Sequence, residues 1–201
     1  FPLLFLMSCT FTPWHREQSE LFMNKGISFL EVGQYHNALK ELLEAEKYHS
    51  GNPKIHYYLG MAYHGKGMKD AAMEEFKKAI SLDKNYSEAY NYLGTLYLDR
   101  EMWDEAIEAF ENALKNYLYT TPSIALYNMA WAYYSKKDYQ MALAKNQETL
   151  KVAEVAQELQ AAQSAVGSGV DVAAFTQEAL RMVGATVSAS PDGSLKVNLK
   201  E

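Results

Sequence analysis

Leu59-Gly60-Met61-Ala62-Tyr63 is echoed 34 residues later by Leu93-Gly94-Thr95-Leu96-Tyr97, and the echo extends well beyond these five positions. Gly26, Gly60 and Gly94 stand 34 residues apart, and so do Ala38, Ala72 and Ala106, and again Ala45, Ala79 and Ala113. Three small-residue series in one register do not follow from helical composition alone. A period of this length specifies a two-helix unit that buries its apolar face by stacking on its neighbours. The small residues mark where the helices approach closely, and the expected contact is Gly of the first helix against Ala of the second. The chain therefore reads as an all-α solenoid.

Within each unit the first helix carries the small residue and an aromatic three positions on: Gly26/Phe29, Gly60/Tyr63, Gly94/Tyr97 and Ala130/Tyr133. The second helix carries Ala38, Leu42 and Ala45, then Ala72, Phe76 and Ala79, then Ala106, Phe110 and Ala113. This pattern resembles the tetratricopeptide repeat over residues 19–152. The resemblance implies a right-handed superhelical solenoid of four repeats, 19–52, 53–86, 87–120 and 123–152. In the first, Glu20 to Glu31 and Tyr35 to His49 are the expected helices, with Gly33 free to take the left-handed turn conformation. The second opens on Asn52 as cap and Pro53 at the first helical position, and turns at Gly65-Lys66-Gly67. The third turns at Asp99-Arg100-Glu101-Met102.

The register then slips: Ala130 follows Gly94 by 36 residues rather than 34. The extra length falls in Asn116-Tyr117-Leu118-Tyr119-Thr120-Thr121-Pro122, where Pro122 restarts a helix. A Tyr-x-x-Pro insertion followed by Ala125-Leu126-Tyr127-Asn128 is similar to the PilF/PilW/Tgl family of type IV pilus assembly lipoproteins. In the fourth repeat Ala142 is in place, but Asn146 and Thr149 stand where a large apolar and a small residue are expected. The second helix is thus expected to pack differently or to be partly exposed.

Beyond it, Val152, Val155, Ala156, Leu159, Ala162 and Val166 form a helical stripe. A further helix is expected from Asp171 to Gly184, so that 153–184 reads as a helical cap for the array. Residues 185–201 alternate apolar and polar around Asp192-Gly193 and read as a short C-terminal β-hairpin or a disordered tail.

At the other end, the apolar run Phe1-Pro2-Leu3-Leu4-Phe5-Leu6-Met7-Ser8-Cys9 is too short to span a bilayer. It resembles the end of a secretory signal followed by a bacterial lipoprotein box, Leu6-Met7-Ser8-Cys9, with a buried apolar strand as the alternative reading. The resemblance implies a thioether-linked diacylglycerol on Cys9 and effectively permanent attachment. Thr10, in place of the Asp that marks inner-membrane retention, implies the periplasmic face of the outer membrane. Residues 1–18 then form signal remnant and tether, with Thr10 to Gln18 as the flexible part.

The chain has a net charge of −6 and clustered basic residues are absent, which argues against a nucleic-acid partner. One cysteine excludes an intramolecular disulfide and a Cys-based zinc site. The five histidines never form an H-E-x-x-H or i, i+4 pair, so no metal site is spelled. Gly60-Met61-Ala62-Tyr63-His64-Gly65-Lys66 fits the spelling of a phosphate loop, but Gly67 replaces the magnesium-binding Ser or Thr, and Gly60 falls inside a helix. The carboxylates alternate with lysines at helical spacing, as on a solvated face. No catalytic motif is found; the expectation is a protein that is not an enzyme and needs no cofactor.

The resemblance also says which side of each first helix lines the concave groove. These positions are Met23, Ile27 and Leu30, then Tyr57, Met61 and His64, then Asn91, Thr95 and Leu98, and finally Tyr127, Trp131 and Tyr134. The lining is apolar and aromatic, the composition of a protein-binding hot spot, although each residue alone could equally serve helix packing. Met23 and Ile27 occupy the places where chaperone-binding repeats carry a cationic carboxylate clamp, which argues against that ligand. The family resemblance implies an outer-membrane pilotin that binds the type IV pilus secretin, or another pilus assembly protein, and promotes its assembly. A general envelope scaffold for barrel insertion or wall synthesis is the alternative, and an enzyme or nucleotide-binding protein the third reading.

Overall fold

The structure is a computed structural model that describes residues 13–166, 185–189 and 195–199. Asn52 shows how its helices begin: the side chain accepts from the Lys54 N–H at 3.0 Å, and Pro53 at the first position gives up no donor that the helix needs. Helices among the described residues are α1 (Pro13–Glu31), α2 (Tyr35–Tyr48), α3 (Pro53–Gly65), α4 (Lys69–Leu82), α5 (Ser87–Leu98), α6 (Trp103–Leu114), α7 (Pro122–Ser135) and α8 (Tyr139–Val166). Up to Lys145 they form one unit in which, from α1 to α7, each helix packs on the next, and α1 and α3, and α5 and α7, also meet as neighbouring first helices.

The turn inside each repeat is built four times from the same bonds. Backbone N–H groups of Gln34, Met68, Met102 and Asp138 donate to the carbonyls of Phe29, Tyr63, Tyr97 and Tyr133 at 2.8, 2.9, 3.0 and 2.9 Å. This bond requires the preceding residue in the left-handed conformation. That residue is Gly33 (φ 70°), Gly67 (φ 74°), Glu101 (φ 59°) and Lys137 (φ 67°). Only the first two sites carry the residue that adopts it without strain.

The close approach of the paired helices differs from the Gly-to-Ala contact expected from sequence. A Cβ on Gly60 would stand 2.6 Å from Phe76 Cε1, one on Gly94 2.5 Å from Phe110 Cε1, and one on Gly26 2.5 Å from Leu42 Cγ. Glycine makes a notch for the large residue sixteen positions later, and Phe76, Phe110 and Leu42 fill it completely. Ala38, Ala72 and Ala106 are fully buried as well, and at Gly26 the Ala38 carbonyl also stands 3.4 Å from the added Cβ, behind Leu42.

Two boundaries move. Residues 13–18, read as tether, are the first turns of α1, because proline is tolerated at the first helical position and Trp14 packs edge-on against Tyr48 at 5.6 Å. At the other end, α8 runs without a break past residue 152, where the fourth repeat was expected to close. Nothing in Tyr139–Val166 interrupts a helix: no Gly, no Pro, and alanine at intervals. As expected, Asn146 is exposed and Leu143 and Leu150 are largely so, whereas Ala142 is only half-buried.

The second unit runs from Asn146 to Glu201. It holds the rest of α8 and two strands, β1 (Ala185–Ala189) and β2 (Leu195–Leu199), paired antiparallel with Val187 opposite Val197. The lipid-attachment candidate Cys9, the Asp171–Gly184 segment and the Asp192-Gly193 turn lie outside the described residues.

Polar groups tie successive repeats. His56, fully buried, has Nε2 2.7 Å from the Ser50 carbonyl and Nδ1 2.8 Å from Glu75 Oε2, joining the start of α3 to α4 and to the preceding loop. Lys78 pairs with Glu46 at 2.8 Å and Lys69 with Asp99 at 2.7 Å, while Arg100 pairs with Asp70 and Lys136 with Asp104. Exposed pairs of this kind are each worth up to about 1 kcal/mol and serve register more than stability.

Candidate protein-binding groove

The resemblance assigns three groove positions to each first helix, and the four helices that carry them all belong to the first unit. Met23, Ile27 and Leu30 on α1, Tyr57, Met61 and His64 on α3, and Asn91, Thr95 and Leu98 on α5 are all partly buried. On α7, in contrast, Tyr127, Trp131 and Tyr134 are 58%, 54% and 56% exposed.

The middle of the wall is an aromatic cluster. The Tyr57 ring lies 5.1 Å from Tyr86, 5.8 Å from Tyr92 and 6.0 Å from Phe76, and Tyr92 stacks on Phe76 at 5.3 Å. Tyr57 is therefore as much packing as lining. Burial pushes its phenol pKa far above the usual value, reinforced by Tyr92, Tyr86 and Glu88 nearby, and burial does the same to Tyr86. Both hydroxyls stay neutral across the physiological range. His64 meets the cluster through Tyr92 at 6.4 Å, and Thr95 turns its hydroxyl back to the Tyr92 carbonyl at 2.7 Å. Asn91 keeps a buried Oδ1 without a hydrogen-bond partner.

Tyr86 and Tyr92 were not named as lining from sequence. Tyr86 precedes α5 and Tyr92 sits one place beyond Asn91, off the inward stripe. Both meet the Tyr57 ring directly, from the next repeat, and Tyr92 also stacks on Phe76 of α4. The end of the stripe gains a residue too: Trp131 stacks on Tyr134 at 5.8 Å, and Tyr134 meets Tyr139, from the start of α8, edge-on at 5.5 Å. Trp131, Tyr134 and Tyr139 thus form a continuous exposed surface, and Tyr127 is exposed one turn before Trp131.

Among the described residues no group of His, Cys, Asp and Glu could hold a metal ion, and no helix is long and apolar enough to cross a membrane. The phosphate-loop spelling lies in α3 and its C-cap, with the Tyr35 ring against Gly65 and the Phe76 ring against Gly60, so its glycines serve packing. What the arrangement does chemically is offer apolar contact area.

Two family models, both described as tetratricopeptide repeat, match residues 23–89 and 85–154. A structure of PilF from Pseudomonas aeruginosa is 17% identical, covers 85% of this chain and 83% of its own, and superposes with a TM-score of 0.67. A structure of MamA is 24% identical over 70% of this chain and 81% of its own, with a TM-score of 0.65. A structure of PilW, described as a widely conserved type IV pilus biogenesis factor, is 22% identical over 68% of this chain and 63% of its own, TM-score 0.64. No curated protein matches the sequence significantly. At these identities the likeness is one of fold, and the fold is that of a scaffold for protein–protein interaction.

Proposed function

Residues 23–154 belong to the tetratricopeptide-repeat family, and from that premise we propose that the chain is a lipid-anchored pilotin of the bacterial outer membrane. The groove on α1, α3, α5 and α7 binds the type IV pilus secretin, or another pilus assembly protein, while acyl chains on Cys9 hold the solenoid at the periplasmic face. Confinement to the membrane raises the effective concentration of secretin subunits and so promotes ring assembly. No covalent chemistry is needed.

The observation that carries this reading is the exposed stripe of Tyr127, Trp131 and Tyr134, since large rigid aromatics that remain open are the groups that dominate protein interfaces. The likeness of fold to PilF and PilW supports the choice of client. A ligand suited to such a surface is an apolar helix laid across the first helices.

The test is deletion of the gene, reading secretin multimers by their heat-resistant migration on gels. Multimers should be lost, be restored by the wild-type chain and fail to return with Trp131→Ala. Normal multimers in the deletion strain would end the pilotin reading. Recovery of barrel-assembly proteins instead of secretin from membrane pull-downs would move the client to general envelope assembly.

A further inference from the structure

The loop between the third and fourth repeats projects two large apolar side chains straight into solvent: Tyr117 is 98% and Leu118 86% exposed. The loop is nonetheless built, not slack. Asn116 Oδ1 accepts the Leu118 N–H at 3.0 Å, the Asn116 carbonyl accepts the Tyr119 N–H at 3.0 Å, and Tyr119 is buried behind them. Asn116 Nδ2 also donates to the Asn85 carbonyl at 3.0 Å, fixing this loop to the one before it. Such bracing holds an apolar tip outward that a relaxed loop would fold away.

All loops that precede first helices share one edge of the first unit. Asn116 links the 115–121 loop to the 83–86 loop, and Tyr86 reaches Tyr57 on the first turn of α3 at 5.1 Å. The start of α3 faces the start of α1 across a cleft of about 510 Å³ lined by Arg16, Glu20, Pro53 and Lys54. The chain therefore enters the solenoid on the edge that displays Tyr117 and Leu118. Each loop of that edge adds one exposed lysine, Lys54, Lys84 and Lys115. Of the acidic groups there, Glu20 is paired with Arg16 at 3.1 Å, Asp83 Oδ1 accepts the Asn85 N–H at 2.9 Å, Glu88 stands half-buried in the first turn of α5 as Lys54 stands in that of α3, and Glu17 is exposed.

We propose that this edge rests on an anionic lipid bilayer, with Tyr117 and Leu118 inserted at the headgroup–acyl boundary and Lys54, Lys84 and Lys115 over lipid phosphates. The inference rests on the anchor part of the reading above. Since α1 starts at Pro13, only four residue steps separate it from Cys9, a reach of at most about 14 Å. An acylated Cys9 therefore brings this edge, and no other, against the membrane. Tyrosine and leucine at a loop tip, flanked by lysine, are the side chains that partition to such an interface. The opposite edge, with the turns at Gly33, Gly67, Glu101 and Lys137, then faces the periplasm, and the groove lies beside the membrane where a membrane-bound client can reach it.

The experiment uses the full chain with Cys9→Ser and an N-terminal polyhistidine, captured on vesicles of phosphatidylethanolamine and phosphatidylglycerol that carry a nickel-chelating lipid. An environment-sensitive fluorophore is placed on Leu118→Cys or, on the opposite edge, on Lys66→Cys. Emission from position 118 should shift to the blue and brighten severalfold on capture, and emission from position 66 should not change. Replacing Tyr117 and Leu118 with Ser in the untethered chain should weaken binding to the same vesicles about tenfold; both side chains point into solvent, so circular dichroism should be unaltered. A label at 118 that stays as in water, or two labels that respond alike, overturns the proposal and leaves the exposed tip for a protein pocket. Because the polyhistidine supplies the tether, an unacylated Cys9 found by mass spectrometry would count against the anchor without altering this result.

Discussion

The third and fourth repeats are built on the same spacing and reach opposite outcomes. In the third, Gly94 opens a notch and Phe110, sixteen residues on, fills it so tightly that an added Cβ would stand 2.5 Å from the ring. In the fourth, the corresponding positions are Ala130 and Asn146, and Asn146 is exposed. Notch and plug are thus one device, and where the plug is polar the notch is absent. The same repeat that lacks the device carries the open aromatics Tyr127, Trp131 and Tyr134, so the part of the array with the least internal packing offers the most surface to a partner.

The largest test of that contrast is deletion of the plug. Phe110→Ala should cost about 3–5 kcal/mol by urea unfolding, since it empties a fully buried aromatic site. Asn146→Ala, at the equivalent exposed place, should stay within about 0.5 kcal/mol. Equal losses would mean that the fourth repeat closes like the third.

Trp131 inverts the pattern. Trp131→Ala should weaken client binding by about 2 kcal/mol or more, roughly thirtyfold by calorimetry with a secretin fragment, while the unfolding midpoint hardly moves. A large stability loss with unchanged affinity would make Trp131 a core residue and remove the binding surface.

Filling the notch comes next. Gly94→Ala adds helix propensity, yet should destabilise by about 1–3 kcal/mol because the Phe110 ring has nowhere to go. A neutral result would show that the ring can rotate aside.

The smallest effect is a gain. Glu101 and Lys137 hold the left-handed turn position that Gly33 and Gly67 hold without strain, so Glu101→Gly should raise stability by about 1 kcal/mol. No gain would mean that side-chain contacts at the turn offset the backbone strain.

Much of this was legible in the residues. The 34-residue register placed six of the eight described helices nearly to their ends, and the Asn52-Pro53 start and Gly33 and Gly67 turns were readable because caps and left-handed positions depend on local chemistry alone. The start of α1 was not, because Pro13 is equally at home in a tether and at the first position of a helix, and only Trp14 against Tyr48 decides between them. Tyr86 and Tyr92 were missed for a similar reason: they join the cluster by meeting Tyr57, which belongs to the preceding repeat.

The sequence by itself determined the period, the helix count of the repeats and the polar lapse at Asn146, since each is a matter of spacing along one chain. Only the tertiary structure decided what faces what: that the side chain nearest each glycine is phenylalanine or leucine, that Tyr57 is half wall and half core, and that Tyr117 and Leu118 stand outside while Tyr119 is buried. Those assignments depend on how neighbouring helices share the space between them, and periodicity fixes the direction in which a side chain leaves its helix without saying what stands across from it.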